Sequence, residues 1–391
     1  MRLLTLGMRN FRNYEEAQVE LGESLNVVTG PNAQGKTNFL EAIYVLATGR
    51  SHRTARDMEL VMRGRAEAAL CGRAVRHRTG TTFDIQVRIR LGRRKDLLLN
   101  GHSLRGSAEL LGQLTVVAFS PDDLLLVKGG PPERRRFLDV SLAQVSEVYK
   151  RTLINYHRVL KQRNALLKGI QLGSGHAGLL EEWDRQLIES GARVMEKRAQ
   201  AVEILSGLAA DVYASLTDGK EKLLLKYLPF FTRQRGPRGE EAQGGAEGNG
   251  DGAIRKAFEE ALARLRRAEV ATGQTLLGPQ RDDLGFQLDG LDAQSYASQG
   301  QQRSIVLACR LAEVEFIRRE TGEFPLILLD DVMSELDQSR RARLVGLLDE
   351  GRTQALVTAA ALQDLGAALT KACRVYSVDH GRLWLKTAGE E

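Results

Sequence analysis

The chain has 391 residues, 42% of them hydrophobic and 27% charged, with a net charge of +6. That is enough for a sizeable core divided among two or three domains. No stretch approaches the ~20 uninterrupted apolar residues of a membrane-spanning helix. The N-terminus turns polar by Arg9 and Asn10, too soon for a signal peptide, so a cytoplasmic location is expected. Cys71, Cys309 and Cys373 are far apart, odd in number and without ligand spacing, which predicts reduced, mostly packed thiols. Charge is uneven along the chain. From Arg50 to Lys95 there are 13 Lys and Arg against 4 Asp and Glu, a local excess of +9. Such a surface suits a polyanion such as nucleic acid, although arginines that merely solvate strand faces would give the same count.

The first 30 residues predict strands: Arg2–Gly7, an alternating segment through Ala17, Val19 and Leu21, and the apolar, β-branched run from Leu25 to Thr29. A loop from Gly30 to Lys36 precedes helical spacing over Thr37–Thr48. Strict alternation through Phe83, Ile85, Val87, Ile89 and Leu91 predicts a half-buried strand, and Leu97–Leu99 before Asn100-Gly101 predicts a hairpin. Leu114–Ser120 is another buried-type strand. Long amphipathic helices are expected over Glu133–Lys168 and Leu179–Leu216, too short and irregular for an extended coiled coil. The Gly-rich stretch 235–252 cannot bury apolar surface and is expected to be a disordered loop before a helix over Ala253–Thr272. Beyond Leu276 the pattern alternates again: a strand at Leu284–Leu288, a helix over Gln301–Arg319, strands at Leu326–Leu329 and Ala355–Thr358, a helix near Ser339–Asp349 and a hairpin over Val375–Lys386. The expected partition is an α/β lobe over 1–128 and 276–391, split by a helical insert over 129–275.

Gly30-Pro31-Asn32-Ala33-Gln34-Gly35-Lys36-Thr37 fits the P-loop pattern G-x-x-x-x-G-K-[ST]. Glycines let backbone N–H groups converge on phosphate oxygens, and the helix that follows presents its positive end to the same anion. Lys36 then faces the β- and γ-phosphates of ATP, and the Thr37 hydroxyl can ligate Mg2+. The partner such a loop needs is an acid closing a second apolar strand, which Pro325-Leu326-Ile327-Leu328-Leu329-Asp330-Asp331 supplies. Asp330 is placed to hold Mg2+ and Asp331 to orient or deprotonate the attacking water. Against this stands the plain reading of an Asp pair that caps a strand.

Between them, Ala297-Ser298-Gln299-Gly300-Gln301-Gln302-Arg303-Ser304 is by itself a polar turn with Ser298 as a helix N-cap. After a P-loop and before Leu-Leu-Asp-Asp it resembles the signature motif of ABC-type ATPases, and Ser334-Glu335-Leu336-Asp337 resembles their D-loop. With Asn10–Tyr14, Gly49–Thr54, Phe119–Leu124 and Gly278-Pro279-Gln280-Arg281-Asp282-Asp283-Leu284, these motifs stand in the order found in the RecF family. That resemblance spans nearly the whole chain. It implies an α/β fold of the ABC/SMC-type P-loop ATPase head with an inserted, mainly helical second lobe. It also implies a weak, DNA-stimulated ATPase that dimerises on ATP, binds DNA at single-strand gaps or junctions, and partners RecO and RecR.

Carried over residue by residue, the resemblance assigns Gly30–Asn38 to nucleotide binding, Thr37 and Asp330 to Mg2+, and Lys36, Asp331 and Ser298 to catalysis, Asp331 standing where most ABC ATPases have Glu. Ser298 and Gly300 would meet the γ-phosphate held by a second subunit, and Arg12 would contact adenine or phosphate. Two departures stand out: Gln280 replaces the usual His of the family, and no switch histidine follows the strand ending at Thr358, which leaves Thr358 a weak γ-phosphate sensor. A transporter ATP subunit would have its signature much closer to the P-loop than the 262 residues from Lys36 to Ser298. A GTPase would need Asn-Lys-x-Asp, and no Asn here is followed by Lys. A DNA-binding module without enzyme activity would leave the P-loop unexplained. The head of another SMC-like complex is the remaining alternative, with no segment able to form long arms.

Overall fold

A computed structural model describes residues 1–233, 252–335, 340–341, 344, 346, 353–362 and 373–386. The expected loop at 235–252, the Leu336-Asp337 end of the D-loop segment and the expected helix at 339–349 fall almost wholly outside them. The chain divides into two compact units.

The first unit comprises Met1–Leu124, Val212–Gly219 and Arg303–Glu391. It holds two six-stranded sheets. One is antiparallel, in the order Tyr14–Glu20, Arg2–Phe11, Glu67–Val75, Thr82–Arg90, Asp96–Leu99, His102–Ser103. Its strands alternate buried and open positions, as at Thr82–Arg90, where Phe83, Ile85, Val87 and Ile89 all point inward. Asn100 and Gly101 take the left-handed backbone that the tight turn between Leu99 and His102 requires. The other sheet runs Arg382–Leu385, Cys373–Asp379, Leu25–Thr29, Ala355–Ala359, Leu326–Asp330, Val116–Phe119, all parallel except the terminal hairpin. Its three central strands are buried at every position, which is why they read as continuous apolar runs. The helix Lys36–Thr48 shares one core with the inner positions of both sheets, through Phe39, Leu40, Ile43 and Leu46.

The second unit comprises Leu125–Asp211 and Lys220–Gln302. It contains the helices Pro131–Val145, Glu147–Gln171 and Ala253–Thr272, and most of Leu180–Leu216. Where the apolar spacing predicts one helix over 133–168, the structure has two. Ser146 takes an extended backbone and its hydroxyl accepts the Tyr149 N–H at 3.1 Å, starting a new helix. A three-stranded sheet, Leu291–Asp292, Asp283–Leu288, Leu223–Leu228, completes the unit. The strand at Leu223–Leu228 has no counterpart in the sequence reading. Its pairing keeps Asp283–Leu288 in this unit, and the return to the first unit falls at Arg303 instead of near 276. Buried ion pairs hold the unit together. Arg134 grips Asp283 at 2.7 and 2.9 Å, and Arg163 lies between Asp184 and Glu269 at 2.7 and 2.6 Å.

These pairs explain the Gly278–Leu284 motif. Arg198 donates to the Pro279 carbonyl at 2.7 Å and lies 3.5 Å from Asp282, which also accepts from Tyr227 and from the Phe230 N–H. Gln280 accepts from the Tyr156 hydroxyl and donates to the Leu277 carbonyl at 2.6 Å. It is a packed amide in a structural turn.

Candidate functional site

The turn after the strand Leu25–Thr29 is shaped by what presses on it. Gly30 has φ +152, and a Cβ there would lie 2.3 Å from the Val378 carbonyl oxygen, so only glycine fits. The Gln34 carbonyl accepts from Asn13 Nδ2 at 2.8 Å and from the Gly381 N–H at 3.1 Å, and the Tyr14 hydroxyl donates to the Gly35 carbonyl at 2.9 Å. Asn38 donates to Asn13 Oδ1 at 2.8 Å. The loop from Pro31 to Gly35 is thereby clamped between the first hairpin and the terminal one. The helix that follows starts at Lys36, one residue before the expected Thr37, and its N-cap is Gly35, which offers no side-chain acceptor to the first-turn N–H groups.

Lys36 folds back over this loop and donates to the Gly30 and Pro31 carbonyls at 2.5 and 3.0 Å and to Asn32 Oδ1 at 3.4 Å. Burial pushes its pKa down, and the charges of Asp331 and Asp330 oppose that shift. The Thr37 hydroxyl donates to Asp330 Oδ1 at 3.0 Å, and Thr358 donates to the same oxygen at 2.9 Å. Burial raises the Asp330 pKa from its ordinary value, partly offset by the two hydroxyls and by the Arg53 charge. Asp331 is exposed and has a left-handed backbone, φ 52, with its N–H donating to the Thr358 hydroxyl at 2.9 Å. Thr358 is only 1% exposed, so it braces the Asp pair from within the sheet and presents no surface to a ligand.

Lys36, Thr37, Asp330, Asp331 and Thr358 are thus brought together in the first unit. Ser298 and Gly300 stand in the second. There Ser298 is exposed and caps the helix Gln299–Thr321: its hydroxyl accepts the Gln301 N–H at 3.3 Å, and Gln301 Oε1 accepts the Ser298 N–H at 2.7 Å. This reciprocal capping box starts a 23-residue helix.

Arg12 has protein partners that the sequence does not announce. Its guanidinium forks onto Glu41 at 2.9 and 2.8 Å and donates to the Glu59 carbonyl at 2.8 Å. Glu41, 0% exposed, also accepts from Ser51 at 2.5 Å and Arg53 at 3.1 Å. Burial alone would raise the Glu41 pKa, but Arg12, Ser51 and Arg53 outweigh it and hold it below the usual value. Arg53 also donates to Asn38 at 2.9 Å, so this hub joins the Gly49–Thr54 motif to the P-loop helix. Glu41→Ala would strand the largely shielded Arg12 guanidinium and take one partner from the exposed Arg53. Its midpoint in urea should show a loss of about 2 kcal/mol, with Glu41→Gln losing less. Wild-type stability in Glu41→Ala would mean that the hub carries no structural load.

The basic stretch is less free than its composition suggests. Arg53, Arg56, Arg65, Arg73, Arg90 and Lys95 each face a carboxylate. Arg63, Arg93 and Arg94 are exposed and, among the described residues, pair with no acid. They lie on two turns joined by the hydrogen bond from Leu91 N–H to the Ala66 carbonyl at 3.1 Å.

Residues 2–383 match the RecF/RecN/SMC N-terminal domain family. The chain is 46% identical to the DNA replication and repair protein RecF of Symbiobacterium thermophilum over 100% of its own length and 97% of that protein. Against the protein of the same name from Shouchella clausii it is 40% identical over 97% and 98%. This chain belongs to the RecF family. A solved RecF–ATP structure, described as a recombination mediator in the RecFOR pathway, superposes with a TM-score of 0.86 at 31% identity, covering 98% of this chain and 97% of that one. An SMC head bound to the C-terminal winged-helix domain of ScpA gives a TM-score of 0.54 at 16% identity over 99% and 97%, a likeness of fold alone. The fold is therefore the SMC-like ATPase head.

Proposed function

We propose that this protein is an ATP-gated DNA-binding switch of recombinational repair that closes as a homodimer and opens after slow hydrolysis. The observation that carries the reading is the convergence of Lys36, Thr37, Asp330 and Asp331 at a clamped P-loop, while an exposed capped helix start at Ser298 stands in the other unit. Nucleotide phosphates replace the Gly30 and Pro31 carbonyls as acceptors for Lys36, and the loop N–H groups hold them in place. Thr37 and Asp330 offer the paired hard oxygens that suit Mg2+, which when bound supplies positive charge against the phosphate chain. A buried carboxylate whose ionised form is disfavoured is a reasonable place for a cation. Asp331, exposed at the strand end, orients the attacking water. Ser298 and Gly300 complete the site from the other subunit, so ATP joins the two heads. The family's partners, RecO and RecR, and a cytoplasmic setting go with this reading. No helix among the described residues is long and apolar enough to cross a membrane.

A sizing column tests the central step: ATP should shift monomer to dimer, ADP should not, and DNA should favour the ATP form. A chain that elutes identically in all states overturns the reading.

For DNA, the exposed arginines Arg63, Arg93 and Arg94, which face no carboxylate among the described residues, form the phosphate surface we favour. Each phosphate contact contributes about −0.9 to the slope of log affinity against log salt on duplex DNA. Replacing these three by Ala should therefore make the slope shallower by about 2 to 3, whereas Arg73→Ala, at an arginine already bound to Asp84, should change it little. Equal effects from both sets would place the contact elsewhere.

A further inference from the structure

The capped turn at Ser298 has a third participant. Gln301 Oε1 accepts the Ser298 N–H, so the NH2 of the same carboxamide faces the other way, where it donates to Glu221 Oε1 at 2.7 Å. A carboxamide can rotate by half a turn and exchange its oxygen for its nitrogen. In the reversed orientation its NH2 would confront the Ser298 N–H, donor against donor, and the capping box would open. A carboxylate accepts and never donates, so Glu221 selects the orientation that closes the cap. The backbone of Glu221 is fixed independently of the turn it serves. Its neighbour Lys222 donates its N–H to Asp289 at 2.9 Å, and the strand Leu223–Leu228 pairs with Asp283–Leu288 directly after it. All these residues lie in the second unit.

We propose that Glu221 is a positioning residue for the signature turn: by fixing the Gln301 amide it holds the Ser298 hydroxyl and the first helical N–H groups in the geometry that meets the nucleotide of a second subunit. This rests on the ATP-dependent dimer proposed above. Glu221 touches no nucleotide itself. It ties the signature turn by one hydrogen bond to the segment Lys220–Lys222, just ahead of the strand Leu223–Leu228.

The test compares Glu221→Ala, Glu221→Gln and Glu221→Lys in the full chain, with two readouts: fluorescent ATP analogue binding at concentrations below dimerisation, and ATP-dependent dimerisation by ultracentrifugation. Losing a helix cap corresponds to about a five-fold change in an equilibrium. Glu221→Ala should therefore bind the nucleotide within about two-fold of the unsubstituted chain and dimerise about five-fold more weakly. Glu221→Gln keeps an acceptor but can also donate to a reversed Gln301 amide, so its dimerisation should fall between the unsubstituted chain and Glu221→Ala, with nucleotide binding unchanged. Glu221→Lys offers a donor that attracts Gln301 Oε1 away from Ser298 and should dimerise worst. A merely structural role would not produce that order. In a Gln301→Ala background Glu221→Ala should add nothing, because the two act through one bond. The proposal is overturned if Glu221→Ala dimerises normally, if Glu221→Gln falls as far as Glu221→Ala, or if the Glu221 and Gln301 effects add in full. Ser298→Arg, run alongside, separates the two readings: if it too dimerises on ATP, the placement of the signature turn in the dimer seam fails; if it alone is defective, only the role of Glu221 fails.

Discussion

Lys36→Ala should abolish useful ATP binding, with an affinity loss of roughly a hundred-fold or more, since a charge-assisted bond is worth about 1.5 to 3 kcal/mol and this ammonium can make several. The three acceptors it now uses, the Gly30 and Pro31 carbonyls and Asn32 Oδ1, all belong to the loop that would wrap the phosphates. Truncation therefore removes the cation that nucleotide oxygens would recruit and leaves carbonyl oxygens facing them. Lys36→Arg keeps the charge but replaces a compact ammonium by a planar fork too large for the same turn, so binding should survive in part while hydrolysis is lost. Calorimetric titration with ATP and ADP reads the first effect and single-turnover hydrolysis the second. Turnover like that of the unsubstituted chain in Lys36→Ala would remove the P-loop assignment, and with it the whole ATP reading.

How much of this fold is legible from sequence depends on whether the determinants are local. The buried parallel strands Leu25–Thr29, Leu326–Asp330 and Ala355–Ala359 announce themselves because burial on both faces demands unbroken apolar runs. Thr82–Arg90 does so by alternation. Leu223–Leu228 does not: Lys226 and Leu224 face outward and Tyr227 is half-buried, so its short pattern imitates the end of a helix. Its strand identity comes from pairing with Asp283–Leu288, about sixty residues away, which no local window contains. The break at Ser146 is a matter of one side-chain hydrogen bond set in a continuous helical period, equally invisible to apolar spacing.

The site divides in the same way. Lys36, Thr37, Asp330 and Asp331 are legible because phosphate and cation chemistry fixes both residue type and spacing. Glu41 is not, since nothing in its neighbourhood on the P-loop helix says that three donors from distant segments, Arg12, Ser51 and Arg53, converge on it. One signal was there: a lone acid among Phe39, Leu40, Ala42 and Ile43, on a helix buried on nearly every face, must have partners. Arg12 shows the converse. Its motif suggests a ligand contact, and its geometry adds a fork onto Glu41 that the motif does not announce. The arginines between Arg50 and Lys95 likewise split into paired and free groups only when the strand register sets Arg73 across from Asp84.

Ser298→Arg tests whether the two ends of one chain serve each other or a second chain. The substitution removes the hydroxyl that caps the Gln301 N–H and puts a bulky cation at an exposed helix start that would be closed over in a dimer seam. The monomer should bind ATP much as before, because the residues grouped around the P-loop, Lys36, Thr37 and Asp330, are untouched. ATP-dependent dimerisation and hydrolysis should both fall by roughly a hundred-fold or more, the order expected when an unpaired charge must be buried. Mixing with a Lys36→Ala chain sharpens the test. In the mixed dimer one composite site combines the intact P-loop of the Ser298→Arg chain with the intact signature turn of its partner, and the other site carries both defects. If the signature acts across subunits, hydrolysis should recover to at most half that of the unsubstituted dimer, though neither variant hydrolyses alone. If it acts within one chain, every P-loop in the mixture remains defective by one route or the other, and no recovery can occur. Loss of ATP binding in the Ser298→Arg monomer would likewise show that this residue serves its own P-loop, and would end the trans-acting assignment.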